Sequence, residues 1–293
     1  ERKATSFVGE LVKGADGTYL KSDNTRVYLP LLVVGSTGGA IGDKVIADIV
    51  DWDKDPITVS VRTVLGVAGD HETEMKAIIA SRGFDSDFPK EVIDAAQGLY
   101  ETLWDDEEIA RREDFRNTLT FTIDPDDAKD FDDAISLKFL EGGNYEVGIH
   151  IADVSYFVRP DSVLEREAYK RATSVYMVDR TVPMLPPQLS EDLCSLKPNV
   201  DRLVFSAVFT INQHHEVTAR RFVRGIIHSQ KRFTYDEADL SLKNADAPLH
   251  KELAHLWSLA SKLREIRKAD GAVMFDMDEI KVVLDAEKKN NQN

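Results

Sequence analysis

Leu119-Thr-Phe-Thr-Ile-Asp-Pro-Asp-Asp-Ala-Lys-Asp-Phe-Asp-Asp-Ala-Ile-Ser-Leu-Lys-Phe139 sets an acidic connection between two apolar runs. Leu119–Ile123 and Ala134–Phe139 have the β-branched and aromatic density of buried or half-buried strands. Between them fall six aspartates, Asp124, Asp126, Asp127, Asp130, Asp132 and Asp133. Carboxylates that converge away from water repel one another, and the usual compensator is a divalent cation such as Mg²⁺. Asp124, Asp130, Asp132 and Asp133 offer enough hard oxygen ligands for one or two ions. Paired ions stabilise both the attacking and the leaving oxygens of an in-line phosphoryl displacement, so the motif points to a phosphodiesterase or phosphatase. An EF-hand loop starting at Asp124 needs Gly at its sixth position and Glu at its twelfth, where this chain has Lys129 and Ile135. An Asp-x-Asp nucleophile at Asp124 and Asp126 leaves the tight group Asp130, Asp132 and Asp133 unexplained. A merely solvated acidic loop is the alternative that residue chemistry alone leaves open.

The 293-residue chain is long enough for two domains with a sizeable core. Its formal net charge of −15 argues against broad, non-specific attraction to nucleic acid, although a local basic channel can coexist with an acidic exterior. No apolar run is long enough to span a bilayer, so no membrane partner is expected. Cys194 is the single cysteine and has neither a disulfide partner nor a zinc-binding spacing, which makes a cytoplasmic location the default. The first residue is Glu1 and the last are Lys288-Lys-Asn-Asn-Gln-Asn293, as expected of an excised fragment.

Phe7–Val12, Gly17–Leu20, Thr25–Leu29, Lys44–Val50 and Ile57–Val64 read as five short strands, the pattern of a partly open oligonucleotide-binding barrel. Tyr19, Lys21, Arg26 and Tyr28 are candidates for stacking bases and tracking phosphates there, or else the tyrosines simply pack the barrel. Glu74–Ala80 and Pro89–Tyr100 are amphipathic, with Pro89 at a helix start. Acids at 105–108 before Arg111 and Arg112 match the helix dipole. Strands follow at Tyr145–Ala152, Val154–Val158 and Val175–Val178. A helix capped by Asp161 or Ser162 spans Val163–Arg171. A hairpin joins Leu203–Ile211 to Val217–Ile227 across Asn212–Glu216, an amphipathic helix spans Leu249–Lys268, and a last strand covers Ile280–Leu284. His150 and Asp153 read as strand-packing or supporting residues, Cys194 as inert, His214 and His215 as solvent-facing, and Arg220, Arg221 and Arg224 as a basic strand edge.

Thr122–Ala134 resembles the signature of the ribonuclease II/ribonuclease R (RNB) exoribonuclease family, nearer to its bacterial ribonuclease R branch. The likeness continues through Ile151-Ala-Asp-Val-Ser-Tyr156, Val158-Arg-Pro160, Thr173-Ser-Val-Tyr176, Val182-Pro-Met-Leu-Pro186, Leu189-Ser-Glu-Asp-Leu-Cys-Ser-Leu196 and Val200-Asp-Arg-Leu203. It implies an α+β chain with a cold-shock-like barrel over 1–68, a helical linker over 69–117 and a mixed α/β catalytic domain over 118–293, truncated at its C-terminal end. It further implies a Mg²⁺-dependent (or Mn²⁺-dependent) monomeric hydrolase. Such an enzyme degrades single-stranded RNA from its 3′ end to nucleoside 5′-monophosphates by metal-assisted attack of water. On that likeness Asp124, Asp130, Asp132 and Asp133 hold metal, Asp132 is the residue most tied to catalysis, and Tyr176 stacks on the 3′-terminal base. Asp126 and Asp127 fall at variable positions. The family's further catalytic helices, its S1 barrel and its first cold-shock barrel have no counterpart in this sequence. The competing expectation is therefore an RNA- or partner-binding module with an incomplete centre.

Overall fold

The computed structural model describes residues 5–273, so the strand predicted at Ile280–Leu284 lies outside the described residues. The chain divides into two compact units between Phe88 and Pro89.

In the first unit five strands close a barrel: β1 (Ser6–Lys13), β2 (Thr18–Ser22), β3 (Leu31–Val33), β4 (Asp43–Asp51) and β5 (Ile57–Val67), in the order β1-β2-β3-β5-β4. Alternate residues point inward, and Leu11, Leu20, Leu31, Val45, Ala47 and Val59 form its buried centre. Gly9 is dictated by a close approach, because a Cβ there would stand 2.3 Å from the Lys21 carbonyl of β2. The expected barrel is present, but its third strand is Leu31–Val33 and not Thr25–Leu29. Asn24 is the reason: its side chain accepts from the Arg26 amide and its carbonyl from the Val27 amide, turning the chain where a strand was predicted. Helix α1 (His71–Ser81) follows, capped by Asp70, and Lys44 of β4 ties to Glu74 at 3.3 Å.

The second unit begins with α2 (Lys90–Gly98) and α3 (Asp106–Ala110), so the segment 69–117 is divided between the units. Its frame is a seven-stranded sheet. The strands are β6 (Glu113–Asp114), β7 (Thr120–Asp124), β8 (Asp133–Phe139) and β9 (Tyr145–Ala152), then a later set after α4 (Val154–Phe157), α5 (Val163–Arg171) and the two-stranded ribbon β10 (Val175–Tyr176) and β11 (Thr181–Val182). That later set is β12 (Asp201–Ile211), β13 (Val217–His228) and β14 (Lys231–Thr234). The order is β14-β7-β8-β9-β12-β13-β6, with β14 parallel to β7 and β6 parallel to β13. Helices α6 (Tyr235–Lys243) and α7 (His250–Ala269) cover one face through Phe121, Phe233, Ala238 and Leu253 and through Leu137, Tyr145, Val147, Ile211 and Leu259.

Val154–Phe157 is a helical turn, not the strand that its apolar run suggested. Asp153 is drawn into the interior and its amide donates to the Leu203 carbonyl at 2.9 Å, so the chain leaves the sheet there. Val175–Val178 keeps only its first two residues as strand. Ser162, and not Asp161, caps α5 by accepting from the Glu165 amide. Unforeseen were β14 and α6, although Thr234 and Glu237 form a reciprocal capping box.

Candidate active site

The acidic connection crosses between the C-terminal end of β7, which carries Asp124, and the start of β8, which carries Asp133. Asp124 is nearly buried, whereas Asp132 and Asp133 are exposed and Asp130 is half-buried. Asp126 and Asp127 point into solvent.

The four predicted ligands act on one another. The Asp124 carboxyl is pushed up by burial and by the charges of Asp133 and Asp130, against the Thr122 hydroxyl and the Arg232 charge, which pull it down. The Asp132 carboxyl is pushed up first by the protein that crowds it and then by Asp130, Asp133 and Asp124. Asp132 keeps an exposed edge, so its crowding comes from one side only. These shifts are the mark of like charges gathered in a partly dehydrated place. Among the described residues, however, no three carboxylate, imidazole or thiol groups converge closely enough to enclose an ion. One observation nonetheless fits a cation: Asp124 Oδ2 is buried and outside hydrogen-bond geometry, although the Thr122 hydroxyl is near enough to the carboxyl to lower its pKa. A buried carboxylate oxygen without a donor is costly, and a hard cation is one species that satisfies it.

The loop's backbone is fixed by partners far along the chain. Ser195 Oγ accepts from the Phe131 amide at 3.0 Å and donates to the Lys129 carbonyl at 2.8 Å. The Leu196 amide donates to the Phe131 carbonyl, and the Ala152 amide to the Asp132 carbonyl at 3.0 Å. Arg232 donates to the Pro125 and Asp126 carbonyls at 2.5 and 2.9 Å, and its guanidinium lies 5.6 Å from the Phe131 ring centre. Neither Ser195 nor Arg232 was singled out from the sequence. Ser195 sits inside the Leu189–Leu196 block, but nothing in its spacing says that it reaches back to Lys129.

Tyr176 lies beside the acids. Its hydroxyl donates to Asp130 Oδ2 at 3.2 Å, and the residue is 69% exposed, open to a flat ligand. Burial and Asp130 both raise its phenol pKa.

The remaining candidates fall outside this cluster. His150 is fully buried between the hydroxyls of Ser136 and Ser206, each 2.8 Å away, and burial lowers its pKa to about 4. Asp153 is paired with Arg112 at 2.8 Å in the interior. Burial pushes the Cys194 thiol up to about 12, which removes it as a nucleophile. His214 is exposed as expected, but His215 is half-buried with Nδ1 2.7 Å from the Tyr145 hydroxyl, because its positive φ of 64° turns it back onto the sheet. Arg221 is held by Glu113 and Glu146 at 2.6 and 2.7 Å, while Arg220 and Arg224 stay exposed.

Comparison with known proteins agrees with this architecture. The RNB domain model matches residues 112–293 and the cold shock domain model residues 19–89. The chain belongs to the RNB domain family. It is 42% identical over 230 residues to ribonuclease R 1 of Lactococcus lactis, which is 76% of this chain and 28% of that protein. It is 34% identical to ribonuclease R of Chlamydia pneumoniae over 97% of this chain and 43% of that protein. The Mycoplasma genitalium RNase R structure in complex with ribose methylated single-stranded RNA superposes with a TM-score of 0.87 at 27% identity, covering 98% of this chain and 46% of that one. The chain thus spans less than half the length of these relatives.

Proposed function

We propose that this chain carries the acidic centre of a divalent-metal-dependent, hydrolytic 3′→5′ exoribonuclease that releases nucleoside 5′-monophosphates. The observation that carries the reading is the set Asp124, Asp130, Asp132 and Asp133, in which burial and the neighbouring carboxylates raise Asp124 and Asp132, the Asp124 Oδ2 is buried without a hydrogen bond, and an exposed tyrosine is bonded to Asp130. Its membership of the RNB family, and its likeness to an RNase R in complex with ribose methylated single-stranded RNA, support RNA as the substrate.

Asp124, Asp130, Asp132 and Asp133 would hold Mg²⁺ or Mn²⁺. Such ions supply charge neutralisation at a phosphate and lower the pKa of bound water. The chain's own residues prepare that event. The buried Asp124 Oδ2 makes no hydrogen bond, so a cation binds there with little competition from internal donors. Tyr176 offers its ring to the terminal base, which places the last phosphate next to Asp130. Asp132, exposed like Asp133 and raised in pKa by its crowding, is the carboxylate suited to act on a solvent molecule attacking there. The barrel of the first unit, with exposed Lys21, Arg26 and Tyr28 and half-buried Tyr19, is the added contact surface for single-stranded RNA.

The test is incubation with a 3′-tailed single-stranded RNA and Mg²⁺. The wild-type chain is expected to release monophosphates and Asp132→Asn is expected not to. Equal release by both would overturn the role of Asp132. The absence of a closed ligand set favours a second reading, a binding module. RNA binding by folded wild-type protein without any release would support that one instead.

A further inference from the structure

Ser195 is fully buried, a position where a hydroxyl is tolerated only with both its donor and acceptor capacity used. It uses both on one short stretch. Its oxygen accepts from the Phe131 amide and its proton goes to the Lys129 carbonyl. Those two groups flank Asp130, so a single side chain closes a ring around the backbone of that residue. The next groups along are also tied, Phe131 O by the Leu196 amide and Asp132 O by the Ala152 amide. Ser195 is itself immobilised. Arg202, buried, donates through Nε to the Ser195 carbonyl at 3.0 Å and through NH2 to Asp192 at 2.7 Å, and Asp192 accepts from the Tyr100 hydroxyl at 2.8 Å.

We propose that Ser195 is the positioning residue of the acidic centre, setting the spacing between Asp130 and Asp132 by holding the main chain on both sides of Asp130. This rests on the reading of the four aspartates as a metal-binding centre. Ser195 touches no substrate; it acts through the loop. The alternative is an ordinary buried hydroxyl whose loss only loosens the fold. Ser206 provides the comparison, being equally buried, bonded to His150 and remote in its contacts from the loop. Partners of this kind that orient metal ligands characteristically change affinity by about 10–100-fold when removed.

The experiment uses the full chain as wild type, Ser195→Ala and Ser206→Ala, with Asp132→Asn as the control for the site itself. Two readouts are taken: Mn²⁺ affinity from the paramagnetic resonance of free ion, and hydrogen exchange of the Phe131 amide. Ser195→Ala is expected to weaken Mn²⁺ binding about 10–100-fold and to speed Phe131 exchange. Ser206→Ala is expected to lower thermal stability while leaving both unchanged. Wild-type Mn²⁺ affinity in Ser195→Ala, or an equal loss in Ser206→Ala, would overturn the proposal. If the wild type binds no Mn²⁺, the metal reading fails separately and Phe131 exchange decides. Faster exchange in Ser195→Ala at a global stability no lower than that of Ser206→Ala upholds the hold on the loop, whereas unchanged exchange, or exchange that only follows a greater loss of global stability, ends it. Should Ser195→Ala not fold, Ser195→Cys, which keeps the shape and weakens both hydrogen bonds, is held to the same criteria.

Discussion

The Tyr176 hydroxyl donates to Asp130 Oδ2 across 46 residues of sequence. This bond joins the residue that would hold the RNA end to one that would hold metal, and it separates two roles of the tyrosine. Tyr176→Phe keeps the stacking face, so affinity for a short RNA is expected to change by less than about 1 kcal/mol. Tyr176→Ala removes the ring and is expected to cost about 1–3 kcal/mol. Fluorescence anisotropy with a 3′-labelled oligonucleotide checks both, and equal losses would count against stacking.

The raised carboxyls of Asp124 and Asp132 make the metal-free acidic loop a destabilising element at neutral pH. A carboxyl whose folded pKa is raised binds its proton more tightly in the folded state. Above that pKa the folded chain bears the full repulsion, and stability is regained as pH falls toward the ordinary carboxylate value of about 4. Asp132→Asn is therefore expected to melt higher than wild type at pH 7 without metal, and the difference is expected to shrink on acidification. Added Mg²⁺ is expected to raise the melting temperature of the wild type more than that of the variant. Thermal melts across pH, with and without the ion, provide the measurement.

His150 titrates in the opposite sense. Its folded pKa of about 4 lies below the ordinary value of 6.5, so the unfolded chain takes up the proton first as pH falls. Stability from this residue is complete above the ordinary value and declines by about 3 kcal/mol on passing down to the folded one. Urea titrations of wild type and His150→Gln at pH 7 and pH 4.5 should show the steeper decline in the wild type. Gly148 guards the same place: a Cβ there would lie 2.4 Å from Ser136 Oγ and 2.6 Å from His150 Nε2. Gly148→Ala is expected to lower stability by about 1–3 kcal/mol.

Arg112 and Asp153 form a buried pair whose halves differ in what their loss exposes. Although burial opposes it, the Ser155 hydroxyl and the Arg112 guanidinium hold the Asp153 carboxyl below its usual range. Arg112 also donates to the carbonyls of Val204 and Gly225, so it joins the chain before β6 to the middle of the sheet. Arg112→Ala leaves a buried charge unpaired and is expected to cost about 3–5 kcal/mol. The double variant Arg112→Met with Asp153→Leu is expected to recover part of that loss, measured by chemical denaturation.

The strands and helices legible in the sequence were the long periodic runs β9, β12, β13, α5 and α7, and the short apolar runs β1, β4, β5, β7 and β8. The acidic connection was legible because six carboxylates between two apolar strands repel one another unless something compensates. What stayed hidden depended on distant partners. Thr25–Leu29 has strand-like residues, yet one Asn24 side chain turns it. The run Val154–Val158 is apolar enough for a strand, but the burial of Asp153 against Arg112 draws the chain off the sheet. Asp130 and Tyr176 were named separately, and only folding shows that they touch. Ser195 carries no signal of its own, since a serine is common and its function lies in whom it meets.

The distances along the chain impose an order on assembly. The loop's first holder, Ser195, lies 64 residues beyond Phe131, and Arg232 lies 107 residues beyond Pro125. At a synthesis rate of about 5–20 residues per second, the acidic segment leaves the ribosome roughly 5–20 s before Arg232 exists to grip it. Through that interval β7 waits without β14, its parallel neighbour. The aspartates keep the nascent segment hydrated and apart, so the same charge that the finished centre must neutralise protects an open strand edge from pairing with the wrong one.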